Sequence, residues 1–313
     1  MTAINQINIE TRSNSFRELY HLLKPRVMWL AVFTAGVGMI LAPAHVNVFF
    51  GLISILCISI GAGAAGALNM WWDQEVDRLM KRTNSRPLPA GNISSDDAFV
   101  FGISLSIFSV MFLGLVSNWF AASLLAFTIF FYVVIYSIVL KKRTPQNIVI
   151  GGSAGAMPPV IGWIAVTGNF AIEPFLLFLI IFFWTPPHFW ALAVIMRDDY
   201  KRARIPMFPV IHGVQNTRKK IFQYTLMVLV TSQFIALSSV GGLFFFLISN
   251  GLNAYLLYLS AKILRKKSHN DWEEERRFFK FTIIYLFIFF GALIVQNIIG
   301  MYVSNHFNWP VLF

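Results

Sequence analysis

The stretch from Asn47 to Asp77 reads NVFFGLISILCISIGAGAAGALNMWWDQEVD, and no charged side chain interrupts it before Asp73. A run of about 18 or more apolar residues is the signature of a helix that crosses a bilayer. This run fills that length and then meets Asp73, Glu75 and Asp77, so the helix is expected to deliver carboxylates to one membrane surface. Similar runs recur at about 27–45, 98–116, 118–140, 148–167, 171–196, 221–239, 241–261 and 279–303, making nine with the 47–72 run. Several exceed the ~20 residues a bilayer needs, so tilted helices or protruding ends are expected. Composition agrees: 57% of the 313 residues are hydrophobic, 12% are charged and Phe occurs 32 times. Soluble domains are about half apolar and a quarter charged. The expected fold is all-α, a polytopic membrane protein whose nine transmembrane helices form a single domain over residues 1–313.

The formal net charge of +11 suggests nucleic-acid binding until its distribution is read. All 25 Lys and Arg fall in the N-terminal segment or in alternate loops, namely those after the second, fourth, sixth and eighth spans. The intervening loops have none. By the positive-inside rule the N-terminus, with a segment 1–25, is cytoplasmic and the C-terminus lies outside. A miscounted span would scramble this parity, so the charge pattern supports the count. It also accounts for the basic balance without a nucleic-acid partner; the partner it requires is a lipid bilayer. The single cysteine, Cys57, lies within the second span, which excludes a disulfide framework and a thiol metal cluster. The first 25 residues carry Glu10 and Glu18 and lack a short apolar core. They resemble neither a secretory signal nor a transit peptide, which points to a bacterial plasma (inner) membrane.

Ionisable groups at a membrane are costly and mark function. Of the 14 acidic residues only Glu173 falls on the outer side, and most of the others crowd two loops, 73–97 and 197–220. In the first, Asn69, Asp73 and Asp77 are spaced i, i+4, i+8. Each step of four turns an α-helix by about 400° and rises about 6 Å, so the three share one stripe. Two carboxylates and an amide form a hard oxygen site suited to Mg²⁺, which completes its octahedron with water and phosphate. Arg78, Lys81, Arg82 and Arg86 follow at once and are placed to hold phosphate oxygens. A helix end whose acids simply pair with those bases fits the same spacing.

The second crowd, Arg197-Asp198-Asp199-Tyr200-Lys201-Arg202, ends the sixth span and repeats the theme of acids, then bases, then proline. It lies four spans after the first, which suggests two related halves with their acidic ends forming one mouth. Within the sixth span, Trp184-Thr-Pro-Pro-His188-Phe-Trp190 is expected to kink, since Pro186 and Pro187 lack N–H groups. His188 either bonds a neighbouring helix or lines a substrate cavity. The letters Gly61-x-Gly63-x-x-Gly66 match a dinucleotide fingerprint, but inside an apolar helix they read as a packing face.

The run from Asn69 to Pro89 resembles the N-x-x-x-D-x-x-x-D signature of the membrane-embedded, UbiA-type prenyltransferases. Further stretches are similar to the haem-farnesylating branch of that superfamily, the protohaem IX farnesyltransferases (haem O synthases). They are Leu23 to Val27, Lys142 to Gly152, Gly155 to Trp163, Trp184 to Ala191, and Asp199-Tyr200 with Ile205-Pro206-Met207. The resemblance covers residues 20–210 in motif detail.

It implies transfer of a farnesyl group from farnesyl diphosphate to haem b, with haem as substrate and Mg²⁺ as cofactor. It implies metal ligation by Asp73 and Asp77, with Asp199 and Asp198 from the second loop, and positioning by Asn69. Arg82, Lys81 and Arg143 are the implied clamp on the diphosphate, with Arg78 and Lys201 nearby. His188, Trp184, Trp190, Tyr200 and Asn147 are the implied haem-cavity residues, and His188 has two open roles, iron ligand or base toward water. A haem A synthase is the implied downstream partner. Where the quinone-making enzymes of the superfamily carry a fuller set of spaced aspartates in the second loop, this chain has Asp198 and Asp199 alone, and Arg204 stands where a small or neutral residue is expected. A prenyltransferase acting on a quinone precursor or chlorophyllide, and a non-catalytic lipid or haem carrier, are the alternatives.

Overall fold

The computed structural model describes residues 16–45, 47–267, 271–303, 310 and 311, and among them there is no strand. After helical residues 16–22 come α1 (Pro25–Leu41), α2 (Val48–Leu79), α3 (Ser95–Val116) and α4 (Trp119–Phe130). A π-helix, Phe131–Leu140, continues α4. Then follow α5 (Asn147–Ala156), α6 (Pro158–Thr167), α7 (Ile172–Ile195), α8 (Arg197–Arg202) and α9 (Phe208–Ile211). The last three are α10 (Gly213–Ala236), α11 (Leu243–Arg265) and α12 (Glu273–Val303).

Seven spans are long and apolar enough to cross a membrane, with α4 and its π-helix forming one and α5 with α6 another. The other two expected spans are also helical. α1 is apolar but only 17 residues long, and α10 carries Arg218, Lys219 and Lys220 in its first turns. Phe49, Leu52, Ile107, Leu115, Phe127 and Leu247 are among many large apolar side chains on the outer surface. So wide an exposed apolar belt suits lipid rather than water. Within the bundle, Tyr285 Oη donates to Asn253 Oδ1 (2.8 Å), and Asn253 Nδ2 donates to Ser232 Oγ (2.6 Å), tying α10, α11 and α12 together.

α12 packs against α1 as well as α7 and α11, which closes the bundle, with Phe33 and Phe287 in ring contact at 5.2 Å. α1 and α6 approach at two glycines: a Cβ on Gly38 would lie 2.0 Å from the carbonyl oxygen of Pro159, and one on Gly162 equally close to that of Ala35. The expected packing face on α2 is present as well. Gly63 and Gly66 lie against the Leu22–Lys24 turn, and Gly61 faces Leu125 and Ser109.

The two proline pairs behave differently. The helix breaks at Met157, ahead of Pro158 and Pro159, as expected for a residue that precedes proline. α7 instead runs on through Pro186 and Pro187, and the Thr185 hydroxyl donates to the Ile181 carbonyl at 2.7 Å.

Two small apolar clusters fold the loops onto the helix ends. Leu88 is buried with Leu22, Ala67, Met70 and Ala98. Tyr200 is buried with Val76, Met80, Ile148 and Ile205, which seats the second acidic loop against the end of α2. Burying one such side chain contributes about 2 kcal/mol.

Candidate active site

α2 is 32 residues long, about 48 Å, so it outruns the ~30 Å hydrocarbon core. Its final turns can therefore carry polar groups. Asn69, Asp73 and Asp77 lie on its buried side and are 5%, 1% and 3% exposed, whereas Trp72, Glu75, Arg78 and Leu79 face outward. The stripe read from the spacing thus points into the bundle.

Three cations hold it there. Asn69 Nδ2 donates to Asp73 Oδ2 (2.7 Å) and to Ser137 Oγ (2.9 Å), while its Oδ1 accepts from Lys24 Nζ at 2.6 Å. Lys141 Nζ pairs with Asp73 Oδ2, and Arg86 Nη1 pairs with Asp77 Oδ2 at 2.6 Å. Asp73 Oδ1 is buried and has no hydrogen-bond partner among the described residues. A buried charged oxygen without a partner is costly, and a cation or a water would satisfy it. Burial, then the charges of Arg86 and Lys141, draw the Lys24 ammonium down to about 7, with Asp73 and Asp77 acting in the opposite sense. Lys24 is also one of two described non-glycine residues at positive φ, at 52°. Such backbone strain gathers at functional sites, and here it accompanies the reach of the ammonium to Asn69.

The π-helix supplies the opposite wall. Ser137 Oγ donates to the Tyr132 carbonyl (2.8 Å), and the Lys141 N–H donates to the Tyr136 carbonyl at 2.9 Å, both five residues back. The rings of Tyr132 and Tyr136 stack at 5.4 Å, within electrostatic reach of Asp73. Asn147 is fully buried and its Nδ2 donates to the Thr144 carbonyl at 2.6 Å, so it braces the turn that carries Lys141.

Other expected residues lie apart from this cluster. Lys81, Arg82, Arg143 and Lys201 are exposed, with no ion pair among the described residues. Arg78 pairs with Glu75 on the surface at 2.9 Å. Asp198 is exposed and Asp199 pairs with Arg202. Among the described residues no three Asp, Glu, His or Cys side chains come together as a metal site. The protein therefore offers two carboxylates on one stripe, and a Mg²⁺ there would take its remaining oxygens from water and phosphate. Trp190 is buried against Phe208 (5.1 Å) and Tyr224 (5.3 Å), on a packing face.

His188 sits between α7 and α12. Its ring is sandwiched by Trp184 (4.4 Å, 15°) and Phe279 (4.6 Å, 21°), and its Nδ1 lies 2.7 Å from Thr282 Oγ1. Lys24, Lys141, Ser137 and Thr282 are the site residues that the sequence did not reveal. Lys24 was within reach of sequence reasoning, because it stands inside the Leu23 to Val27 stretch.

The profile of the UbiA prenyltransferase family matches residues 31–284. A protoheme IX farnesyltransferase of Paracoccus denitrificans is 50% identical over 289 residues, covering 91% of this chain and 95% of its own. One of Ruegeria pomeroyi is 49% identical over 291 residues, covering 92% of each chain. A solved digeranylgeranylglyceryl phosphate synthase superposes with a TM-score of 0.74 at 18% identity, covering 90% of this chain and 98% of its own. A UbiA homolog from Archaeoglobus fulgidus, solved with DMAPP and Mg²⁺, superposes with a TM-score of 0.62 at 18% identity over 89% of this chain and 99% of its own. At such identities the two structures show the fold. A buried Asn-Asp-Asp stripe ringed by cations, within an all-helical membrane bundle, and half-identical relatives across nine-tenths of the length lead to one assignment: the chain belongs to the UbiA prenyltransferase family, among its protoheme IX farnesyltransferases.

Proposed function

We propose that this chain transfers the farnesyl group of farnesyl diphosphate to a vinyl group of haem b, giving haem O and diphosphate. The observation that carries the reading is the buried stripe at the end of α2, where Asp73 keeps an unpartnered oxygen while Lys24, Lys141 and Arg86 surround it. The sidedness of the basic loops supports a cytoplasmic position for this end, in a bacterial plasma membrane.

Asp73 and Asp77 would hold Mg²⁺, with Asp199 the candidate from the second loop, which Tyr200 seats against Val76 and Met80. When bound, the ion supplies Lewis-acid neutralisation of the diphosphate as the C–O bond ionises. Lys141 and Arg86 now neutralise the two carboxylates, and the same charges can pass to the phosphate oxygens of an incoming substrate. Lys81, Arg82 and Arg143, exposed at this end, draw the anion toward the mouth. Asn69 holds the Asp73 carboxylate in place. The stacked rings of Tyr132 and Tyr136 offer π-faces that favour an allylic cation. The vinyl group's terminal carbon attacks the farnesyl C1, and the porphyrin-side cation then takes oxygen from water and releases a proton. A haem A synthase, consuming the product, is the partner this reading implies.

Haem extracted from membranes of cells that make the protein is resolved by chromatography and mass. The expected result is a species heavier than haem b by one farnesyl and one water, absent with Asp73→Asn. Prenylation of 4-hydroxybenzoate by the purified protein, with haem left unmodified, would overturn the acceptor and leave a quinone-type enzyme.

A further inference from the structure

The environment of His188 decides between its two roles. Thr282 Oγ1 lies 2.6 Å from the Phe279 carbonyl oxygen and 2.7 Å from His188 Nδ1. A hydroxyl has one proton, and a carbonyl oxygen has none. The short contact to Phe279 therefore takes the Thr282 proton, since two facing lone pairs at that distance would repel. Only a lone pair remains toward His188, so Nδ1 carries the hydrogen and donates it. The neutral ring then has its free lone pair on Nε2. Among the described residues Nε2 makes no hydrogen bond, and it is not sealed from its surroundings. Thr282 is itself anchored, because its carbonyl accepts from Trp184 Nε1 at 2.9 Å, and Trp184 is one of the two rings stacked on the imidazole.

With both faces covered by Trp184 and Phe279, only the ring edge is open to a ligand. A base and a metal ligand would both use that edge, but they differ in charge. A base becomes an imidazolium, and among the described residues no carboxylate pairs with His188, so that cation would lack a counter-charge inside the membrane. A metal ligand stays neutral. Histidine ligands characteristically donate the other ring N–H to an oxygen that fixes tautomer and orientation, and Thr282 supplies that oxygen here.

We infer that His188 Nε2 is an axial ligand to the iron of the haem acceptor, and that Thr282 is the positioning residue that holds it in the ligating tautomer. The inference rests on haem b being the acceptor. It makes the site selective for the metalloporphyrin over the free porphyrin, through a residue on α7 and a second on α12.

The test uses the purified full chain in lipid nanodiscs, titrated with haem b and separately with metal-free protoporphyrin IX. Absorption and electron-paramagnetic-resonance spectra are recorded, and farnesyl diphosphate binding serves as the check on fold. Wild type should show a histidine-ligated spectrum and should prefer haem over the free porphyrin. His188→Gly should lose both, and added imidazole should restore the spectrum. Thr282→Val should weaken haem binding by about 10–100-fold, the usual effect of removing a ligand's orienting partner, with protoporphyrin binding unchanged. Thr282→Ser, which keeps the oxygen, should match wild type. A His188→Gly spectrum identical to wild type, in protein that farnesylates haem, overturns the ligation while the acceptor stands. Equal haem affinity in Thr282→Val and wild type overturns the positioning role. Wild type that neither binds nor farnesylates haem, yet binds farnesyl diphosphate, removes the acceptor and the ligation with it.

Discussion

The acidic ends of α2 and α7 begin from the same sequence theme and finish in different electrostatic states. At α2 the helix continues unbroken through Asp77, so the stripe stays on one face and Asp73 and Asp77 are almost wholly buried among Lys24, Lys141 and Arg86. At α7 the helix stops at Ile195 and restarts as the six-residue α8, which turns Asp198 outward and pairs Asp199 with Arg202, three residues on in the same short helix. Spacing along an unbroken helix, more than the number of acids, decides whether carboxylates reach the interior together.

The strongest break of this contrast is at Asp73. Asp73→Asn keeps the shape but removes the charge, and farnesyl transfer should fall by on the order of 10²–10³, as when one preorganised electrostatic contact is lost. Single-turnover assays on correctly inserted protein measure it, and retained activity in the Asp73→Asn, Asp77→Asn double variant would end the metal reading.

Lys141→Met comes next. It leaves a buried carboxylate unpaired and should cost roughly 3 kcal/mol of stability, read as a fall in unfolding midpoint that Lys141→Arg largely avoids. Asp199→Asn should lower the rate about tenfold, the ~1.4 kcal/mol of one charged contact, and Asp198→Asn should change it less than twofold. If Asp199→Asn falls as far as Asp73→Asn, the two ends grip one cation together during turnover, and the asymmetry belongs to the free protein. The smallest effect is expected at Arg204, which follows α8 at φ 53°. Glycine suits that conformation, so Arg204→Gly should stabilise by up to ~1 kcal/mol with turnover unchanged, measured by thermal unfolding.

How far the sequence carried the reading follows from distance along the chain. The Asn69, Asp73 and Asp77 stripe was legible because helical geometry fixes it within nine residues. The seven strongest spans were legible from hydropathy, as was the small face of Gly61, Gly63 and Gly66. The contacts of Lys24 and Lys141 were hidden because their partners lie 45 and 68 positions away. Nothing local tells which lysine of Lys141-Lys142 turns inward. Thr282, 94 positions from His188, had no motif to announce it. The exposed Lys81 and Arg82 drew attention through adjacency to Asp77, although Arg86, nine residues on, makes the contact.

The π-helix of Phe131–Leu140 has a consequence for heredity. Its wider turns, bonded five residues apart, set the azimuth from which Lys141 meets Asp73. Exchanging one apolar residue for another there leaves that azimuth alone. Losing one residue would let an α-helical ladder resume and swing everything beyond it by about 100°. Residue number in this span is thus under a constraint separate from hydrophobicity, tolerant of spelling but not of insertion or deletion.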